Sequence, residues 1–234
     1  SSALTVLADY TAPTAATSLA LAATGGANQV ANALNAGNTN FTVTATITDD
    51  VGSGGGTAEL LVGAVSFSTP ITASVASGAT SVSLTPSFTT TAAVQAAMTA
   101  GSKSLTVKLT DSAGNVATSS ALTVLADYTA PTAATSLALA ASGGTNQVAD
   151  VLNAGNTNFT LTATATVGDV GVGGGTAELL VDGTAFTPRV IASVANGATT
   201  ISLTPSFTTK AAVQAAIAEG ARALTVRLTD SAGN

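Results

Sequence analysis

The stretch Thr110–Pro131, T-D-S-A-G-N-V-A-T-S-S-A-L-T-V-L-A-D-Y-T-A-P, decides how the chain is read. It offers a turn with oxygen-bearing side chains (Asp111, Ser112, Asn115), a strand from Val116 to Ala126, a second acid at Asp127 and a proline stop. Half of it recurs at each end of the sequence. Residues Ser1–Pro13 read S-S-A-L-T-V-L-A-D-Y-T-A-P, and Thr229–Asn234 read T-D-S-A-G-N. The junction between two units therefore stands whole in the middle and in halves at the termini. This is the pattern expected of a length of tandem array.

Working outward, Ser1–Ala22 repeats without a difference as Ser119–Ala140, and Phe41 corresponds to Phe159. One inserted residue before the second glycine run then shifts the match, so that Thr57 answers to Thr176 and Asp111 to Asp230. A period this long exceeds the roughly 20–50 residues of a solenoid repeat, so a whole domain is duplicated. The boundaries expected are a leading strand over 1–10 that belongs to a preceding or neighbouring unit, one repeat over 11–127, and a second over 128–234 that lacks its last strand.

Within a unit the apolar period is mostly two. T-S-L-A-L-A (Thr17–Ala22) and F-T-V-T-A-T-I (Phe41–Ile47) alternate, separated by a polar loop rich in Gly and Asn. Further strands are expected at Glu59–Val62, Val65–Val75, Thr80–Leu84 and through Leu105, Val107 and Leu109. Between the last two, Thr90–Ala100 is Ala-rich and bounded by Thr90 and Gly101, which predicts a short helix with a threonine N-cap and a glycine C-cap. The fold predicted is all-β: two tandem immunoglobulin-like antiparallel β-sandwiches, each with one short helix.

Alternating strand direction places three loops at one end of each sandwich. Asp9, Asp49, Asp50, Asp111 and Asn115 are expected together in the first unit, and Asp127, Asp169, Asp230 and Asn234 in the second. Hard oxygen donors in a chain with no His and no Cys suit Ca²⁺ better than a transition metal. A cation there would offset the repulsion of like-charged loops. The competing reading is that these residues are turn formers: Asp in D-S-A-G-N closes an Asx-turn, and Asp in A-D-Y-T-A-P ends a strand.

Composition excludes several classes. With no His, the usual general base is missing, and no Ser or Cys triad can be assembled in the ordinary way. The net charge is −6, and the six basic residues are scattered, so no basic stripe for nucleic acid exists. No uninterrupted apolar run is long enough for a membrane helix. G-S-G-G-G and G-V-G-G-G lack the Lys-Ser/Thr of a phosphate loop and read as flexible loops. The sequons at Asn40 and Asn158 read as the starts of strands. Glu59 and Glu178 are acids at strand positions without an evident partner, expected on edge strands.

The signature T-D-S-A-G-N, a strand, then A-D-Y-T-A-P-T resembles the joint of bacterial immunoglobulin-like repeats in giant type I-secreted and biofilm-associated surface adhesins. There D-T-T-A-P is usual, and here Tyr10 and Tyr128 stand in place of the first Thr. The resemblance implies an extracellular, elongated stalk of identical repeats joined head to tail, with no catalytic role. It also implies calcium at Asp9, Asp111, Asn115, Asp127, Asp230 and Asn234. The alternative is a surface-, glycan- or ice-binding module; scarce aromatics count against glycan stacking, while Thr-rich strand faces keep ice open. Finally, Ser1–Ala8 carries the sequence of the strand that the second unit lacks. It is expected either to complete the C-terminal unit of a neighbouring copy or to mark one length of a continuous array.

Overall fold

Alternation of apolar and hydroxyl side chains builds the first sheet. In β1 (Ser18–Thr24) and, after the short β2 (Ala33–Leu34), β3 (Asn40–Thr46), the residues Leu21, Phe41, Val43 and Ala45 are buried while Thr44 and Thr46 face outward. β1 and β3 pair antiparallel, and β6 (Ser81–Leu84) joins the other side of β3. This computed structural model describes residues 3, 4, 6, 8–48, 51–166, 170, 171 and 173–234. Two compact units emerge, centred on Ser1–Thr129 (unit 1) and Ala130–Ala232 (unit 2).

The second sheet of unit 1 contains β4 (Gly56–Val62), β5 (Val65–Val75), β7 (Gly101–Asp111) and β9 (Leu122–Ala126), in the order β2-β9-β7-β4-β5. The short β8 (Val116–Thr118) pairs with β7 as well. Leu60, Leu105, Val107, Leu109, Val124 and Ala126 turn inward from this sheet and meet Leu21, Phe41 and Val43 of the other in one core. Phe41 packs against Phe88 with ring centroids 6.0 Å apart and tilted, as aromatic pairs prefer. The all-β sandwich expected from the alternation is present in each unit.

Helix α1 (Thr91–Ala97) crosses between the sheets. Thr90 is its N-cap, and the Thr90 hydroxyl accepts a hydrogen bond from the Ala93 amide at 3.2 Å. The C-terminal expectation is corrected: the cap is Met98, three residues before Gly101, and Gly101 with φ of 110° opens β7 instead. The strand expected over Val116–Ala126 is also corrected, because it is broken at Ser119. The buried Ser119 hydroxyl accepts from the Val107 amide at 2.9 Å and donates to the Ser120 carbonyl, replacing ladder bonds with its side chain. Beyond that break, β9 runs antiparallel to β7 and parallel to β2, the one parallel pairing among the described strands.

Unit 2 repeats this plan with β10 (Ser136–Ser142), β11 (Asn158–Thr164), β12 (Gly175–Val181), β13 (Thr184–Ala185), β14 (Ile191–Val194), β15 (Thr200–Leu203), α2 (Lys210–Ala216) and β16 (Leu224–Asp230). β10-β11-β15 form one sheet, and β12, β13, β14 and β16 the other. Asn234 is the counterpart of Asn115, so β8 and β9 are described in unit 1 alone.

The polar loop after β1 is a bonded structure. The Asn38 side chain, 1% exposed, accepts from the Asn35 amide at 2.7 Å and donates to the Gly25 carbonyl at 3.0 Å. Asn156 makes the same two bonds, at 2.6 and 3.1 Å, in unit 2. At the sequons, Phe41 and Phe159 are fully buried, and the Asn40 and Asn158 side chains donate to the carbonyls of Pro86 and Pro205.

Candidate functional site

The D-S-A-G-N loop follows directly from β7. Gly56 at the start of β4 lies opposite Asp111 at the end of β7, so this loop sits beside the glycine run that precedes β4. The run is not a free loop, which corrects the sequence expectation. Val51 is 1% exposed, the Gly55 amide bonds the Gly52 carbonyl at 3.0 Å, and a Cβ on Gly54 would stand 2.8 Å from Ser112. Only glycine permits that approach. Gly173 stands against Ser231 in unit 2 in the same way, at 2.7 Å.

Asp111 organises its loop. Its Oδ1 accepts from the amides of Ala113 and Asn115, both at 2.9 Å, and its Oδ2 accepts from the Asn115 side-chain amide at 2.9 Å. The Asn115 side-chain bond, aided by the backbone donors, holds this carboxyl below the usual carboxylate range against the opposing effect of burial. Asp230 is bound identically, by Ala232, Asn234 and the Asn234 side chain, each at 2.9 Å.

Asn115 also reaches the incoming segment. Its side-chain amide points at the carbonyls of Asp9 (3.2 Å) and Thr11 (3.3 Å). Unit 1 thus brings Asp9, Asp111 and Asn115 together, as strand direction implies. The Asp9 carboxylate accepts from the Thr11 amide at 3.0 Å, and the Asp127 carboxylate accepts from the Thr129 amide at 3.1 Å, the same local turn in both copies. Asp49, Asp50 and Asp169 lie outside the described residues.

The oxygen-only donor set matches the chemistry of Ca²⁺. Yet among the described residues no three acidic side chains gather as a metal group would. Both oxygens of Asp111 are already taken by N–H donors, as the turn-forming reading requires. The described residues hold their shape through their own amides. A cation would draw on the Asp9 carboxylate, the backbone carbonyls that Asn115 now engages, and Asp111 itself.

Three features were missed in the sequence. Glu59 and Glu178 are corrected from edge to centre: β4 lies between β7 and β5, and β12 between β16 and β14. Glu59 is paired with Lys108 directly across the ladder and accepts from the Ser66 hydroxyl at 2.5 Å. Glu178, 4% exposed, is clamped by Arg189 and Arg227. The Arg189 bond, then that of Arg227, lowers its pKa to about 2 against burial. Lys108 and Arg227 alternate with inward Leu and Val residues, so their outward direction was legible; the sheet order that sets them opposite the glutamates was not. The third feature is Tyr128. Its hydroxyl donates to the Met98 carbonyl at the end of α1 (2.5 Å), and burial raises its pKa to about 12.

Comparison with known proteins finds no protein-family model that matches the chain. No curated protein matches it either. Two solved structures show a loose likeness. One is a Ca²⁺-stabilised adhesin that helps an Antarctic bacterium reach out and bind ice: 20% identity over 95% of this chain and 46% of that one, TM-score 0.39. The other is a 1.5-MDa bacterial ice-binding adhesin, described for its host cell surface retention: 19% identity over 86% of this chain and 56% of that one, TM-score 0.36. The chain spans about half the length of each, and likeness at this level carries no functional argument.

Proposed function

We propose that this chain is a length of immunoglobulin-like extender repeats from a bacterial extracellular adhesin, filament or surface layer, a spacer and not a catalyst. The observation that carries the reading is the duplication itself. Two units share one plan, and the segment that joins them, Ser119–Ala140, is repeated without a difference at Ser1–Ala22. A spacer gains reach by reusing one unit and one joint.

Calcium belongs to the proposal as a stiffener of the loop end of each unit. Asp9, Asp111 and Asn115 would hold it in unit 1, with Asp127, Asp230 and Asn234 as their sequence counterparts. Bound there, it would supply positive charge to loops in a chain of net charge −6. Thermal unfolding in millimolar calcium and in excess EDTA tests this. The midpoint is expected to rise by several degrees with calcium, and the rise to disappear when Asp9 and Asp127 become Ala. Identical melts would leave Asp111 and Asp230 as turn formers and remove calcium from the account.

A second reading, surface binding, draws on the outward face of the β1-β3-β6 sheet. Thr42 meets Thr85 at 2.8 Å and Ser18 donates to Thr46 at 2.9 Å; Thr160–Thr204 and Ser136–Thr164 repeat these at 2.8 and 2.9 Å. Each such pair uses one of its two hydroxyl donors, so it is the duplication, not this face, that favours the spacer.

A further inference from the structure

The sequence contains a single Asn-Gly pair, Asn196–Gly197, in the link between β14 and β15 of unit 2. The link is a tight turn. The Ala198 amide donates to the Ala195 carbonyl at 3.1 Å, and Gly197 stands third in the turn with φ of 83°, as type II geometry requires. Both Asn196 and Gly197 are exposed. Among the described residues, the Asn196 side chain has no hydrogen-bond partner and the Gly197 amide donates to no acceptor. Unit 1 builds the same turn, with the Ala79 amide on the Ala76 carbonyl at 3.2 Å and Gly78 at φ of 84°. There Ser77 stands in place of Asn196.

An asparagine before glycine has a nucleophile within its own reach. A bond from the Gly197 nitrogen to Cγ of Asn196 would close a five-membered ring. Glycine has no Cβ to crowd that nitrogen, and its backbone turns through conformations closed to other residues. Every other asparagine with a successor in the sequence is followed by Ala, Gln, Thr, Phe or Val. Asn32, Asn38 and Asn156 also have their side-chain oxygens bonded to backbone amides. Asp182–Gly183 offers the same spacing, but its carboxylate accepts from the Ala223 amide at 3.0 Å and from Arg222 at 3.1 Å. Those donors hold it ionised, and a carboxylate resists attack. At Asn196 one exposed backbone bond closes the turn, and turns of that kind open locally at little cost.

We propose that Asn196 is a site of spontaneous deamidation, a one-way modification that unit 2 undergoes and that Ser77 denies to unit 1. The Gly197 nitrogen gives its proton to hydroxide and attacks Cγ of Asn196. A C–N bond forms, the bond from Cγ to Nδ2 breaks, and Nδ2 takes a proton from water and leaves as ammonia. Water then opens the succinimide. Opening at the backbone carbonyl leaves isoaspartate, with the chain running through Cγ, and opening at Cγ leaves aspartate. Either product adds a carboxylate to the turn. Isoaspartate also adds a backbone carbon to a link that joins two sheets, since β14 pairs with β12 and β15 with β11. The inference goes beyond the extender reading and stands whether or not calcium binds.

Peptide mapping by mass spectrometry tests it, on the 234-residue chain held for weeks in mildly alkaline buffer. The peptide carrying residue 196 should gain the mass difference between an amide and a carboxyl, at a rate that rises in step with hydroxide. Peptides carrying the other asparagines should stay unchanged. Isoaspartyl methyltransferase should label the converted chain, and Asn196→Ser, which writes the turn of unit 1 into unit 2, should abolish the label. Asn196 that stays intact while the free peptide V-A-N-G-A-T converts overturns the proposal, by showing that the turn shields it. Aspartate formed without isoaspartate overturns it too, because direct hydrolysis would then bypass Gly197. So does a label that survives Asn196→Ser, or ammonia loss at the other asparagines at the same rate.

Discussion

Units 1 and 2 are written in nearly the same residues, and β9 is described beside β7 in unit 1 alone. β7 runs eleven residues from Gly101 to Asp111, whereas β16 runs seven, from Leu224 to Asp230. The four residues Gly220–Ala223 match the start of β7 in sequence position but are not a strand. Leu105, Val107 and Leu109 are fully buried; their counterparts Leu224, Val226 and Leu228 are only partly so. β2 likewise has no counterpart, since Val151 is 47% exposed where Ala33 pairs with β9. Local propensity is the same in both units, so the partner strand decides whether the edge forms and whether the inner face is covered.

The largest effect should come from truncating matched leucines. Leu105→Ala removes a fully buried side chain and is expected to cost about 2–5 kcal/mol. Leu224→Ala, at a partly buried position, should cost less than about 2 kcal/mol. Denaturant unfolding followed by hydrogen exchange on peptides from each unit separates the two. Equal losses would mean that the cover β9 gives Leu105 does not decide what its burial is worth.

A smaller effect distinguishes the two glutamates. The folded pKa of Glu178 lies at about 2, below the ordinary 4.5. Its stabilisation is therefore full above the ordinary value and is lost as pH falls towards 2. Because Arg189 and Arg227 are more than half exposed, the loss should stay below about 2 kcal/mol. Unit 2 of the unchanged chain should weaken more steeply between about pH 5 and 2 than that of Glu178→Gln. Unit 1 should show the same sign with Glu59→Gln, since Lys108 and Ser66 lower the pKa of Glu59 too. Parallel pH curves for Glu178→Gln and the unchanged chain would show that the clamp adds nothing.

Much of this was legible locally. Alternation in T-S-L-A-L-A and F-T-V-T-A-T-I was enough for β1 and β3, and Thr90 before an Ala-rich run was enough for the helix start. Strand direction alone brought Asp9 to Asp111 and Asn115. What stayed hidden depends on neighbours in space. Ser119 breaks its strand because its hydroxyl finds Val107, and Glu59 is central because β7 and β5 flank it. Gly101 looked like a helix stop, but its positive φ serves the opening of β7. The acids of D-S-A-G-N were legible as ligands or as turn formers with equal ease, because both roles need the same oxygens.

The measurement that tests the account most directly is thermal unfolding of the chain in millimolar calcium and again in excess EDTA. The account predicts a midpoint several degrees higher with calcium, and loss of that rise when Asp9 and Asp127 become Ala. Identical melts would contradict a calcium-stiffened extender and leave Asp111 and Asp230 as turn formers.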